Sequence, residues 1–403
     1  MGDLGVDLLL ASDWINAGYL AGHFLDPDLF SAGAIGINSW GYRVRGVLSP
    51  YENFVAIPRD KGEEPFFVHS NQDTYACFYE QCWIKERMPY GPGLDPVEVV
   101  AKSLKESNLD RGHIALVYDA PVRTFERLKK VLPRASFRDG SDIVWKLRMV
   151  KTTEEIERMR KAADATDRAA TAAFDAATEG TTELEMQKSF RTALAQQEVY
   201  AAFNHIHFGE YPFVEREKEN LPSTRVTELP VDSRNRTVYD IPTERKLEKG
   251  DRIALDAGAR YHSYVSDIQR YAKLGKLTGD EAEYFRKISM VFEKVREEFR
   301  PGAIASNIYS AAIRETENAG LRLLSTGFGF AGHGVGIQVH EPPFIVPNDD
   351  THLEKGMTLN PELCFYDVKF NGLNEVEDTI LITENGNEPL VTNYAPRHIR
   401  ELT

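Results

Sequence analysis

The sequence predicts two domains, an α/β domain over residues 1–148 and an α+β domain over residues 149–403. Three observations predict them. The chain has 403 residues, more than a single core usually organises. Up to about residue 148, short β-rich runs alternate with helical patterns. Beyond it come two capped helices, then hairpins carrying buried-type acids, then further helices.

In the first domain, strands are expected at 6–11, 33–37, 54–57, 66–68 and 114–118, and helices at 96–107 and 122–132. Trp40, Tyr42, His69 and Trp83 could line a site there. Isolated aromatics and imidazoles are ordinarily core or surface, and no catalytic constellation accompanies them. The second domain opens with a capping box, Thr152 and Glu155, leading a helix through Ile156, Met159 and Ala163 to about residue 178. A second box, Thr182 and Glu185, opens a helix whose Met186, Phe190 and Leu194 form one buried stripe. His205 and His207 lie two apart, on one face of an expected strand. The charged stretch 210–236 is long enough to read as a lid or specificity element. Helices at 279–299 and 303–318 carry apolar stripes that would cover a sheet.

Residues 252–270 organise the whole chain, because they read as a hairpin that contains Asp256 and Asp267. A turn at Tyr261-His262 would put the two aspartates opposite each other, with Cβ atoms roughly 5 Å apart and like charges in conflict. A divalent cation between them resolves the conflict, as in two-metal hydrolytic sites. The glycine-rich run 327–343 lets backbone approach a ligand and presents His333; no helix follows it, so it is not read as a phosphate loop. Strands near 356–362 and 374–383 bring Glu362 and Glu377. A turn at Asn371-Gly372 does not place these two opposite each other, so a wider connection is needed. Together Asp256, Asp267, His333, Glu362 and Glu377 offer hard oxygen donors and one imidazole. Such a set suits Mn²⁺, Fe²⁺ or Co²⁺, with Zn²⁺ also compatible, and it excludes thiolate-preferring chemistry.

A net charge of −14 argues against nucleic-acid and anionic-membrane partners. Cys77, Cys82 and Cys364 form no CxxC pair, which disfavours a disulfide framework and a thiolate zinc site. The first residues lack a basic n-region and the apolar run 8–11 is far below spanning length. The expected location is the cytoplasm.

The motifs carry a family resemblance. They are Pro242-Thr243 with Gly250-Asp251, Asp256-x-Gly258 with Tyr264 and Asp267, Gly332-His333-Gly334-Val335-Gly336, His340-Glu341-x-Pro343, Gly356-Met357 with Glu362, and Glu377-Asp378-Thr379. In this order they resemble the pita-bread metallohydrolases, which include methionine aminopeptidase, aminopeptidase P, prolidase and creatinase. The first third resembles the N-terminal domain of the creatinase and prolidase branch. The resemblance implies two divalent ions, Mn²⁺ first, with Fe²⁺, Co²⁺ or Zn²⁺ as alternatives. It implies Asp256 on one metal, Asp267 and Glu377 bridging, and His333 and Glu362 on the other. Glu362 would shuttle a proton, and His340 would donate to the developing oxyanion. Tyr239 stands where proline-specific members usually carry a His, and Glu375 where they usually carry an Arg that helps hold a substrate carboxylate. Tyr239 can still donate a hydrogen bond, whereas Glu375 would repel a carboxylate. Substrate-facing candidates are therefore Tyr239, Tyr264, His333, Glu375, His205 and His207. The implied activity is metal-dependent hydrolysis of a C–N bond, most simply in an Xaa-Pro-type small peptide, by a homodimer. The alternatives are a creatinase- or ectoine-hydrolase-like enzyme, a lyase of a small zwitterion such as dimethylsulfoniopropionate, and a non-enzymatic binding module, which the intact ligand set opposes.

Overall fold

In the computed structural model, which describes residues 1–12, 14–22, 53–60, 62–70, 82–91, 93–117, 122–209, 242–323, 329–370, 372–392 and 399–403, four buried residues form β1 (Leu8–Ala11) inside the first sheet. The chain divides into two units, Met1–Arg148 and Met149–Thr403. The expected strand at 33–37, Trp40, Tyr42, Cys77, the stretch 210–236 and Tyr239 lie outside the described residues.

The first unit continues with α1 (Trp14–Ala21), β2 (Phe54–Pro58), β3 (Phe66–Ser70), β4 (Glu86–Tyr90), α2 (Pro96–Glu106), β5 (His113–Leu116), α3 (Val122–Val131), β6 (Ser136–Asp139) and α4 (Ser141–Met149). The sheet runs β4-β3-β2-β1-β5-β6. β1 is parallel to β5 and antiparallel to β2. Asp95 caps α2 by accepting from Val97 N–H at 2.9 Å, with Pro96 at the first helical position. β4 and β6, which the sequence pattern did not reveal, are the two outer strands and lack an alternating apolar face. His69 is buried beside Phe67, and Trp83 is exposed with its indole N–H on the Leu20 carbonyl.

The second unit begins with α5 (Thr153–Asp175) and α6 (Glu183–Ala195), each opened by the reciprocal capping box read from the sequence. Then follow β7 (Tyr200–Phe208), β8 (Arg252–Tyr261), β9 (Tyr264–Val265), β10 (Ile268–Leu274), α7 (Gly279–Arg296), α8 (Ala305–Asn318), β11 (Gly332–Gly334), β12 (Glu341–Phe344), β13 (Thr358–Asp367), β14 (Gly372–Glu377), β15 (Ile380–Ile382), β16 (Asn387–Pro389) and β17 (Arg400–Leu402). One sheet runs β17-β10-β8-β7 with β9 on β8, and the other runs β12-β11-β13-β15-β16 with β14 on β13. Met186, Phe190 and Leu194 of α6 pack on Ile253, Leu255, Ala257 and Ala259 of β8. Ile288 and Phe292 of α7 pack on Leu359, Leu363 and Phe365 of β13 and Val376 of β14. Because side chains alternate along a strand, residues 254, 256 and 258 of β8, 360, 362 and 364 of β13, and 375 and 377 of β14 face away from these helices. No helix among the described residues is long and apolar enough to cross a membrane.

One hairpin register differs from expectation and the other meets it. The first hairpin turns at His262-Ser263, both at positive φ, and Asp256 faces Gln269 instead of Asp267. The primed two-residue turn was invisible because neither residue is Gly, Asn or Asp. Asp267 lies at the break between β9 and β10. In the second hairpin the one-turn helix Val368–Phe370 widens the connection, so Glu362 stands directly opposite Glu377, and Cys364 opposite Glu375. Turn position, not strand face, was misjudged in the first hairpin, whereas the second has the wider connection that pairing Glu362 with Glu377 requires.

Gly258 fits because a Cβ there would lie 2.1 Å from the Ser266 carbonyl and 2.5 Å from the Phe203 ring. Gly258→Ala should therefore cost at least about 1–3 kcal/mol in chemical denaturation. Gly386→Ala, which would meet nothing within 4 Å, should change stability by less than about 0.5 kcal/mol; equal effects would show that the close approach is unimportant.

Candidate metal centre

Strand alternation places the acids on one surface. Asp256 follows Leu255 and precedes Ala257, both in the helix-covered core, and Glu362 and Glu377 alternate with buried Leu363 and Val376. Asp267 is anchored twice, its N–H donating to Thr379 Oγ1 and its carbonyl accepting from the same hydroxyl, both at 3.0 Å. This pair, with the bridge between Ile268 and Asp378, joins the two sheets at the centre. Asn360 donates its side-chain N–H to Glu377. His333, wholly buried, sets Nδ1 3.0 Å from the Gly334 carbonyl and turns Nε2 toward Asp267 Oδ2 (3.5 Å) and Glu362 Oε2 (3.2 Å).

Burial first, and mutual repulsion second, push all the carboxyls upward. Asp256 is raised well above its ordinary value by burial and then by Glu375, and Asp267 by burial and then by Asp256, Glu362 and Glu375. Glu362 rises to about 7, chiefly through burial. Glu375 and Glu377 are raised well above the carboxylate range by burial and neighbouring acids. Burial lowers His333 to about 4, leaving a neutral imidazole able to offer a lone pair. Among the described residues, no Lys or Arg pairs with any of the five acids.

Divalent metal fits this set. Asp256 Oδ1 and His333 Nε2 are buried without a hydrogen-bond partner among the described residues, which is costly unless a ligand completes them. Donor atoms of Asp267, His333 and Glu377 lie within 4.8 Å of one another, as do those of Asp256, Glu375 and Glu377, those of His333, His340 and Glu362, and those of Glu362, Cys364 and Glu375. All five sequence-derived ligands are thus brought together.

The other candidates distribute unevenly. His340 is exposed on one side and packs its ring 4.2 Å from that of His333; desolvation on that packed side, then His333, lower its pKa. His205 is partly buried directly opposite Asp256 in the β7–β8 pairing. His207 lies with Nδ1 4.0 Å from Glu183 at the start of α6. Tyr264 is buried, its hydroxyl donating to Glu155 at 2.6 Å. Sequence reasoning set Glu375 at the substrate and gave Cys364 no part; both enter the donor cluster. Their spacing of two from Glu377 and Glu362 was the available signal. Also missed was a fully buried pair, Lys151 Nζ to Glu341 Oε1 at 2.8 Å, lying next to His340 in sequence. Gly336 makes room for it, since a Cβ there would sit 2.2 Å from Glu341 Oε1.

A mixed sheet and an antiparallel sheet enclosing a carboxylate-rich cluster with one imidazole define a metallohydrolase. Comparison with known proteins is specific about which one. The profile of metallopeptidase family M24 matches residues 157–384 and that of the creatinase/prolidase N-terminal domain matches 1–150. An Xaa-Pro dipeptidase of Pyrococcus furiosus is 30% identical over 266 residues, 65% of this chain and 68% of that protein. The putative dipeptidase YkvY of Bacillus subtilis is 25% identical over 343 residues, 84% of this chain and 86% of that one. In fold, the chain is similar to a Pyrococcus horikoshii dipeptidase, with TM-score 0.73 and 23% identity over 100% of this chain and 97% of that one. It is also similar to dipeptidase PepE of Mycobacterium ulcerans, with TM-score 0.75 and 21% identity over 100% and 95%. The chain belongs to metallopeptidase family M24, a family of enzymes that depend on divalent metal, and it joins a creatinase-type N-terminal domain to the pita-bread catalytic domain.

The raised carboxyls fix the sign of a stability test. A group whose pKa is higher in the folded than in the unfolded chain stabilises fully below its unfolded value and loses that contribution as pH rises through its folded value; for Glu362 that loss runs from the ordinary carboxylate range through about 7. Metal-free protein should melt at a lower temperature near pH 8 than near pH 5, and added Mn²⁺ should raise Tm more at the higher pH. A metal-free Tm that rises over this interval would contradict the electrostatics.

Proposed function

We propose that the protein is a dinuclear, Mn²⁺-preferring peptidase that cleaves small Xaa-Pro-type peptides. The observation that carries the reading is the buried cluster of Asp256, Asp267, His333, Glu362 and Glu377, orphaned at Asp256 Oδ1 and His333 Nε2. Asp256 would hold one ion, His333 and Glu362 the other, and Asp267 and Glu377 would bridge them. When bound, divalent ions supply Lewis acidity that polarises the scissile carbonyl and acidifies a water.

The remaining chemistry belongs to side chains. Glu362, a carboxylate at the edge of the metal pair, would accept a proton from the attacking water and deliver it to the leaving nitrogen. His340, whose lowered pKa keeps it neutral, offers one N–H to the carbonyl oxygen as negative charge grows there. The relatives named above are dipeptidases, which supports a peptide over a guanidino compound or zwitterion as substrate. His205, His333 and Glu375 would meet substrate from the metal side, with His207, Tyr239 and Tyr264 the remaining candidates to contact it. A homodimer and a reducing, cytoplasmic setting complete the proposal; the free buried thiols of Cys82 and Cys364 accord with such a setting.

Assay of Mn²⁺-loaded protein against Xaa-Pro dipeptides, non-proline dipeptides and small zwitterions tests the substrate class. Preference for Xaa-Pro is expected, and turnover of zwitterions alone would overturn it. Asp267→Ala and Glu377→Ala should each abolish turnover and lower metal content. His340→Ala should keep its metal while kcat/KM falls about 10²-fold; unchanged kcat/KM would remove the oxyanion role. Sedimentation as a monomer at micromolar concentration would remove the dimer.

A further inference from the structure

A hydrogen-bond donor assists a reaction only if it stays aimed, and a displacement of about 1 Å can cost about 10²-fold in rate. Among the described residues the His340 imidazole is held by ring contacts, with centroids 4.2 Å from His333 and 6.1 Å from Phe330. Its aim therefore depends on where its backbone is held. Glu341, the next residue, is held firmly: its carboxylate is 1% exposed and meets Lys151 Nζ, 2% exposed, at 2.8 Å. A Cβ on Gly336 would lie 2.2 Å from Glu341 Oε1, so glycine leaves the carboxylate its place.

Lys151 is in turn fixed to the strand that carries Glu362. Its N–H donates to the Gly356 carbonyl at 2.9 Å, and Val150 bridges to Met357, the residue before β13. The loop leading to His340 is tied to the same frame. The Val335 carbonyl accepts from Thr358 Oγ1 at 2.6 Å, the Gly336 carbonyl from Val265 N–H at 2.8 Å, and the Ile337 carbonyl from Arg260 at 3.0 Å. A buried ion pair is seldom worth more to stability than two well-packed apolar side chains. What it adds here is one fixed separation between Glu341 and β13.

We propose that Lys151 and Glu341 are positioning residues, which hold the His340 N–H where negative charge grows on the carbonyl oxygen. The inference rests on the oxyanion role given to His340 above.

The test compares full-length, Mn²⁺-loaded wild type with Lys151→Met/Glu341→Met, Gly336→Ala and His340→Ala, using an Xaa-Pro dipeptide such as Ala-Pro. Either single substitution of the pair would strand a buried charge and endanger the fold, so the double variant removes both charges with unbranched side chains of similar length. Gly336→Ala keeps both charges and drives the Glu341 carboxylate from its place. Both variants should hold two ions while kcat and kcat/KM fall together by about tenfold or more, the signature of an interaction made only in the transition state. Added to His340→Ala, the double variant should cost less than about twofold further, whereas an independent structural injury would add its full loss. Crystal structures of both should show the His340 ring moved from its place beside His333. Loss of bound metal, an unchanged kcat, a loss that adds in full to that of His340→Ala, or an unmoved ring would each overturn the positioning role; if the double variant does not fold, Gly336→Ala decides alone. An unchanged kcat in His340→Ala would sink the oxyanion reading and this inference with it, whereas a fall there with none in the other two variants would sink this inference alone. Wild type that cleaves no Xaa-Pro dipeptide would sink the peptidase reading, and the place of the ring would then decide this one.

Discussion

The constraint on which the second unit depends is the burial of several carboxyls with no basic side chain paired to them among the described residues. A buried unpaired charge costs several kcal/mol even after relaxation, and here five acids share one small volume. Without cations they must hold protons, which is what their raised pKa values express. The helix-covered faces of both sheets supply the apolar burial against which this unfavourable cluster can exist.

The scaffold meets that constraint with strand alternation and a few fixed contacts. Alternation delivers Asp256 from one sheet and Glu362 and Glu377 from the other, each backed by core residues. The reciprocal bonds between Asp267 and Thr379 join the sheets at the place where the acids meet. Behind His340, the buried Lys151–Glu341 pair ties the start of β12 to the segment leading into α5, and so restricts where the neighbouring imidazole can stand. Such preorganisation matters because a hydrogen-bond donor aids a reaction only when aimed at the charge that develops.

Much of this was legible in the sequence. The alternation of acids with apolar residues at 255–257, 362–363 and 376–377, and the capping boxes at Thr152 and Thr182, depend on local physics and read directly. The five candidate ligands therefore emerged without a structure. Register did not, because it is set by turn geometry: His262 and Ser263 adopt positive φ without a glycine signal, and the helical turn Val368–Phe370 absorbs residues that a tight hairpin would have paired. The outer strands β4 and β6 escaped notice because their patterns lack an alternating apolar face. That Glu375 stands across the ladder from Cys364, two residues from the pair of Glu362 and Glu377, was likewise hidden until the register was known.

The central claim is that cations replace protons on these acids. Calorimetric titration of metal-free protein with Mn²⁺ near pH 6, in two buffers of different ionisation enthalpy, measures that exchange directly. The account predicts binding of two ions with net release of protons, so that the observed enthalpy shifts with the buffer. Metal binding with no proton release, or no binding, would contradict it.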